Sequence, residues 1–208
     1  MEGELVLQLG KLTSGDKLLE VGSGTGLHLE IFLKAGLNVV GVDISPFMLQ
    51  ASRKRVGFKG GLCLADALNL PFQERSFDIV AMLTTLEFIS DPVRAVQEAF
   101  RVSRGLVLLG VLNKYSFLAI TRRFKGIFRP NILSQARFYS IWELQKLIRA
   151  VCPEAAIQWA SILVLPMSWQ RTLTRLERRL SLRRNPLGAF LGLRVSLMEA
   201  CDADIRSG

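Results

Sequence analysis

The chain has a single histidine, His28, among 208 residues, and that scarcity excludes a good deal. One imidazole cannot build a usual zinc or iron site, and no cysteine or carboxylate cluster stands beside it in the sequence to complete one. No metal is therefore expected. The three cysteines, Cys63, Cys152 and Cys201, are odd in number, scattered and without C-x-x-C spacing. They read as thiols in a reducing compartment, not as a zinc ribbon or a disulfide framework. Long apolar runs are missing too. The longest, at 157–167, contains Gln158 and Pro166 and falls short of a membrane span. The opening Met-Glu-Gly-Glu-Leu has neither the basic nor the apolar stretch of a secretory leader, so a cytoplasmic location is expected.

What is present describes one globular domain, 1–208, with 50% apolar and 22% charged residues. Its charge is unevenly placed. Residues 1–100 carry 9 Lys/Arg and 12 Asp/Glu, whereas 101–208 carry 18 and 6, which gives the whole chain its +9. Six arginines fall in the fourteen residues Arg171–Arg184, interleaved with Trp169, Leu173, Leu176 and Leu180 at helical spacing. That is an amphipathic basic helix. It is read either as a lid over the domain or as a surface that meets anionic membrane lipid.

Short apolar runs alternate with helical patterns along the first half. Strands are expected at Lys17–Val21, Asn38–Val42, Gly61–Ala65, Phe77–Leu83 and Leu106–Leu112, and helices at Leu5–Leu12, Thr25–Ala35, Ser45–Arg55 and Asp91–Val102. Ser45-Pro46 and Asp91-Pro92 pair a capping side chain with a proline at the first helical position. Such alternation makes a parallel, doubly wound α/β sheet, whose ligands bind beyond the carboxyl ends of the strands. Later, a helix is expected at Ser140–Val151 and strands at Ala156–Leu165 and Gly188–Leu197.

At the end of the first strand stands Leu19-Glu20-Val21-Gly22-Ser23-Gly24-Thr25-Gly26, and Asp43 closes the second strand. The glycines permit a tight turn and close approach of a ligand to the main chain. Their G-x-G-x-G spacing differs from the G-x-G-x-x-G of dinucleotide sites, and no Gly-Lys-Ser/Thr follows as in a phosphate loop. An ionised carboxylate at position 43 offers acceptors for a ribose diol.

Glu20, the three alternating glycines and Asp43 resemble motif I and the second-strand acid of the class I S-adenosylmethionine-dependent methyltransferases. Leu64-Ala65-Asp66-Ala67, Leu70-Pro71-Phe72, Ser76-Phe77-Asp78 and Leu86-Glu87-Phe88-Ile89-Ser90-Asp91-Pro92 extend the likeness toward the ubiquinone- and menaquinone-biosynthesis group. The resemblance implies a Rossmann-like, seven-stranded sheet, mostly parallel, with strand seven antiparallel between five and six. A cofactor half at 1–112 would be followed by a helical cap and C-terminal hairpin at 113–208. It implies S-adenosyl-L-methionine as cofactor, with S-adenosyl-L-homocysteine as product. Glu20, Gly22, Ser23, Gly24, Gly26, Asp43, Ile44, Met48, Asp66, Ala67 and Leu83 would bind the cofactor. Phe88, Asn113, Tyr115 and Tyr139 would stand on the acceptor side, and no catalytic residue is assigned. Many relatives carry His where this chain has Phe88. The expected function is methyl transfer to a small-molecule or lipid-like acceptor. Its alternatives are a catalytically inactive cofactor-binding module that works through its basic surface, and an RNA methyltransferase. The last is disfavoured because Thr84-Thr85-Leu86 stands where an Asn/Asp-Pro-Pro-Tyr/Phe motif would methylate a base nitrogen.

Overall fold

The computed structural model describes residues 2–116, 136–162 and 185–196. The basic helix expected at 169–184 and most of the expected cap lie outside them. In chain order the elements are α1 (Glu2–Gly10), β1 (Lys17–Val21), α2 (Leu27–Lys34), β2 (Asn38–Asp43), α3 (Pro46–Val56), β3 (Gly61–Leu64), β4 (Phe77–Leu83), α4 (Pro92–Val102), β5 (Ser103–Leu112), α5 (Ile141–Val151), β6 (Ala156–Ile162) and β7 (Phe190–Ser196), with a single 3₁₀ turn at Leu86–Phe88.

Capping chemistry sets the helix starts. Ser45 Oγ accepts from the Met48 N–H, with Pro46 next in line. The Asp91 carboxylate accepts from the Arg94 N–H ahead of Pro92. Ser140 and Glu143 form a reciprocal capping box at the head of α5. Several element ends moved from their expected places, the starts of two by three residues. The first helix begins at Glu2, not Leu5, and ends at Gly10 because Lys11 turns to φ 50°. β5 begins at Ser103, not Leu106, because a bulge opposite Phe77–Ile79 absorbs Gly105 at φ 149° and keeps the strand paired.

Seven strands form one sheet in the order β3-β2-β1-β4-β5-β7-β6. All pairings are parallel except those of β7, which runs antiparallel to both β5 and β6. Successive residues of each strand feed opposite faces, as the pleat requires. Leu19, Val80, Met82 and Leu109 pack toward α4 and α5. Leu18, Ile79, Ala81 and Leu108 pack toward α1, α2 and the C-terminal end of α3. α1 lies tightly on β7: a Cβ placed on Gly192 would stand 2.9 Å from Leu5 Cδ2 and 3.0 Å from Leu9 Cδ1.

A buried clamp holds the connection between β3 and β4. Glu98, 3% exposed, accepts from Arg101 Nε and Nη2 and from the Leu70 N–H, each at 2.8 Å. Arg101 in turn donates to the carbonyls of Phe72 and Leu70 at 2.8 and 2.9 Å. Burial alone would push the Glu98 carboxyl up, but the bonds from Arg101 and Leu70 and the charges of Arg101 and Arg94 outweigh it and leave it below its ordinary value. Asp78 braces the amino-terminal ends of β1 and β4 by accepting from the Lys17 N–H and from Arg104. Cys63 is a free thiol. Cys152 is disulfide-bonded, which corrects the expectation of thiols throughout. Among the described residues no helix is long and apolar enough to cross a membrane, and no group of three or more metal-ligating side chains forms.

Candidate cofactor and acceptor site

The carboxyl ends of β1, β2 and β4 meet at the glycine turn, where β1 stops and α2 begins. Gly22, Gly24 and Gly26 all take positive φ, at 72°, 52° and 78°. Two of them explain the turn. A Cβ on Gly22 would lie 2.3 Å from Thr85 Cγ2, so any side chain there collides with the end of β4. A Cβ on Gly24 would meet nothing within 4 Å, so its bare backbone faces open space where a ligand can approach closely.

Most of the turn's amides are engaged inside the protein. Gly22 and Ser23 both donate to the Val42 carbonyl, Gly26 donates to Ser23, and Gly24 donates to Asp43 Oδ2 at 2.8 Å. The turn therefore contributes proximity more than free donors. Asp43 Oδ1 also accepts from the Ser45 N–H at 2.9 Å. A carboxylate has about four acceptor positions, so this partly buried group ties the turn to α3 and still has capacity for a diol.

Glu20 is the most buried charged group at the site, 1% exposed. Its Oε1 stands 3.1 Å from His28 Nδ1, while its Oε2 has no hydrogen-bond partner. Burial pushes this carboxyl above its usual range. The His28 contact and the Leu29 N–H oppose that shift, and the Asp43 charge adds to it. An unpartnered buried carboxylate oxygen beside a ligand cleft suits a cationic group, and the ammonium of S-adenosylmethionine supplies one. Ser23 Oγ is likewise buried without a partner.

Beyond Asp43 the surface turns apolar. Ile44 is 71% exposed, and Met48 and Leu64 are also exposed. Ile44 and Met48 follow the end of β2, and Leu64 is the register partner of Asp43 on β3, so apolar side chains are exposed on either side of that carboxylate. Asp66 lies exposed at the tip after β3, where its Oδ1 accepts from the Leu68 N–H. Ala67 packs partly into the core beside it. Leu83 is buried in the core beneath.

The acceptor-side expectations divide. Phe88, on the 3₁₀ turn, is 48% exposed. Tyr115 is also exposed, with its ring edge-on to Trp142 at 6.1 Å. Asn113 and Tyr139 are buried braces. Asn113 Nδ2 donates to the carbonyls of Pro186 and Gly188, and its Oδ1 accepts from the Tyr115 N–H. The Tyr139 hydroxyl donates to the Leu86 carbonyl at 3.3 Å, and burial raises its pKa above the ordinary phenol value. Glu87 is a brace as well: its Oε1 accepts from the Leu112 N–H at 2.7 Å, and its carbonyl accepts from the Arg137 N–H.

Sequence reasoning passed over Thr85. Its hydroxyl donates to the carbonyls of Val21 and Leu83, both at 3.1 Å, which clamps the glycine turn to β4. Next to it Thr84 takes φ 53°, an unfavourable conformation for a β-branched residue, and its N–H donates to the Gly110 carbonyl at 2.7 Å. A paired Thr at a strand end, opposite a glycine turn, was the available signal.

The profile of the methyltransferase domain family matches residues 19–108. An uncharacterised protein of Methanocaldococcus jannaschii is 37% identical over 103 residues, covering 48% of this chain and 46% of that protein. A demethylmenaquinone methyltransferase of Renibacterium salmoninarum is 35% identical over 103 residues, covering 48% and 42%. The chain thus spans less than half the length of these curated relatives. A solved S-adenosylmethionine-dependent methyltransferase of Thermotoga maritima superposes with a TM-score of 0.70 at 27% identity, covering 93% of this chain and 88% of that one. Together with the sheet order, the glycine turn and the tethered Asp43, these findings show a methyltransferase domain over residues 19–108, on the fold of the class I S-adenosylmethionine-dependent methyltransferases, a family whose cofactor is S-adenosylmethionine.

Proposed function

We propose that this protein transfers the methyl group of S-adenosylmethionine to a small, apolar acceptor of quinone-like or lipid-like character. The observation that carries the reading is Phe88. It stands half exposed just beyond β4, one strand from the glycine turn, and offers an apolar wall where a proton-handling side chain would serve a polar acceptor. The exposed ring of Tyr115, edge-on to Trp142, is a second exposed aromatic surface. The relatives named as demethylmenaquinone methyltransferases support the same class of acceptor.

The bound cofactor would supply an already activated methyl group. Gly24 lets the main chain come close to it, Asp43 orients the ribose, Glu20 receives the ammonium, and Ile44 and Met48 flank the base. In-line displacement at a sulfonium then depends chiefly on alignment. An acceptor with an acidic hydroxyl or a stabilised carbon nucleophile needs little help from a protein base, which agrees with the commitment of Tyr139 and Glu87 to structural bonds. The reading extends to an anionic membrane as the surface from which such an acceptor is drawn, through the basic segment 169–184.

The test is methyl transfer from isotopically labelled S-adenosylmethionine to a panel of apolar hydroquinones and phenols, polar amines and short RNAs. The reading expects label in the apolar set alone. Label in RNA, or tight cofactor binding with no transfer to any acceptor, would sink it, the latter in favour of an inactive binding module.

A further inference from the structure

We propose that His28 is a positioning residue for the cofactor: held on Glu20 Oε1, it presents Glu20 Oε2 to the cofactor's ammonium and couples binding of that end to loss of a proton from the Glu20–His28 pair. The inference rests on the cofactor assignment above and assigns a role to the chain's single histidine.

The geometry comes from two elements. Glu20 lies at the end of β1, and His28 occupies the first turn of α2, which the glycine turn folds back over that strand end. The turn places His28 Nδ1 at 3.1 Å from Oε1, while Oε2, buried and without a partner, is left over. No side chain caps α2: its N-cap is Gly26, in the left-handed region. The carboxylate therefore faces the N-terminal end of α2, and the Leu29 N–H contributes to holding its charge. The other charged group that bears on it is Asp43, at the end of β2, and it is a like charge. Along α2 itself, Glu30 is engaged by Lys34 and by Arg55 of α3.

The pair has three relevant states. With one proton fewer, Glu20 is ionised and a neutral imidazole donates Nδ1–H to Oε1. With one proton more, either the carboxyl is neutral or the imidazole is a cation that already balances it. Only the first state leaves an uncompensated negative charge next to the cleft. An arriving ammonium favours that state and expels the added proton. By linkage, any lowering of the pair's proton affinity on binding equals the loss of cofactor affinity on acidification, a factor of ten for every tenfold fall in proton affinity. The two groups titrate together, and the imidazole reports it.

Because His28 is unique, its imidazole proton can be followed by NMR in tag-free protein without ambiguity. The experiment titrates it from pH 5 to 8.5 in the free protein, with saturating S-adenosylhomocysteine, and with 5′-methylthioadenosine, which lacks the amino-acid end. The expected result is a midpoint lowered by at least about half a pH unit with S-adenosylhomocysteine and unmoved by methylthioadenosine. Calorimetry should show S-adenosylhomocysteine binding at least about threefold weaker at pH 5.5 than at pH 8. His28→Phe should weaken S-adenosylhomocysteine at least about tenfold and leave methylthioadenosine unchanged. His28→Asn keeps an N–H near the Nδ1 position, so it should restore affinity at pH 8 and move the acid loss to lower pH. An imidazole midpoint that ignores S-adenosylhomocysteine, or one that both ligands move equally, overturns the proposal. So does a His28→Asn protein that binds no better than His28→Phe at pH 8. Should the Phe variant fail to fold, the titration of the unaltered protein and the Asn variant decide. Failure of the unaltered protein to bind S-adenosylhomocysteine at any pH would instead overturn the cofactor assignment.

Discussion

Glu98 and Glu20, two of the glutamates buried in the described sheet, are handled in opposite ways. Glu98, on α4, has both oxygens engaged by Arg101, with Leu70 and Arg94 adding to them, and its carboxyl is held below its ordinary pKa. Glu20, at the end of β1, keeps one oxygen bare and is pushed above its ordinary pKa by burial. The first is a satisfied charge that stabilises the fold. The second is a charge retained at a cost to the fold. A buried polar atom without a partner costs about 1–3 kcal/mol.

The largest expected effect breaks the satisfied side. Glu98→Gln leaves the Arg101 guanidinium, a quarter exposed, without its countercharge and weakens the hold on Leu70 and Phe72. Loss of one partner of a buried pair costs about 3–5 kcal/mol, and the partial exposure of Arg101 places this one near the lower figure. A thermal melt should fall by roughly 6–12 °C. The sign with pH follows from the lowered carboxyl. Its stabilisation is complete above the unfolded-state value and is lost as pH falls through the lower folded value. The variant should therefore show a shallower loss of stability between about pH 5 and pH 3.

Next comes Asp43→Ala. It removes the acceptor for the Gly24 and Ser45 N–H groups and, on the proposed cofactor placement, the acceptor for the ribose. Calorimetry should show S-adenosylhomocysteine weakened about ten- to a hundredfold in a protein that still folds. Unchanged binding, or tighter binding of a nicotinamide dinucleotide, would remove Asp43 from the site.

Glu20→Gln sharpens the contrast because its two effects should oppose each other. The raised carboxyl destabilises the folded chain progressively as pH climbs from the unfolded-state value through the folded one. Removing the charge should raise the melting temperature at pH 8 by roughly 2–4 °C, about 1 kcal/mol. It should also weaken cofactor binding several-fold. A fall in melting temperature at pH 8 would mean that the ionised form is compensated after all.

The smallest effect is expected from Phe88→His on the exposed 3₁₀ turn. Stability and cofactor affinity should stay within about 0.5 kcal/mol of the unaltered protein, while turnover of the true acceptor changes. Equal turnover on every acceptor tested would place Phe88 outside the acceptor site.

Much of this was legible in the residues. Lys17–Val21 and Phe77–Leu83 are mainly apolar runs between polar turns, and their strand limits match the structure residue for residue. Asp91-Pro92 and Ser45-Pro46 announced two helices through local chemistry alone. The sheet order, with β7 antiparallel between β5 and β6, agrees with what the family resemblance implied. Other roles were not legible, because they depend on what lies opposite across the fold. Nothing near Asn113 in sequence says that its amide will close on Pro186 and Gly188. Nothing near Tyr139 says that its hydroxyl will meet Leu86. Both stand where acceptor-side groups were expected and serve as struts. Thr85 escaped notice for the same reason: its value lies in the carbonyls of Val21 and Leu83 and in the missing side chain of Gly22.

The seat of α1 on β7 has a consequence for how the chain is made. Leu5 and Val6 are buried, and Gly192 is bare so that Leu5 and Leu9 can lie against it. The first helix and its partner strand are thus nearly the whole chain apart. At ribosomal rates of about 5–20 residues per second, roughly 10–40 s pass between the synthesis of one and the other. During that interval the parallel strands β1 to β5 can assemble, but the apolar face of α1 has no β7 to cover. The last antiparallel strand therefore acts as a latch on the first helix, and a nascent chain halted before it would leave Leu5 and Leu9 without their seat on Gly192.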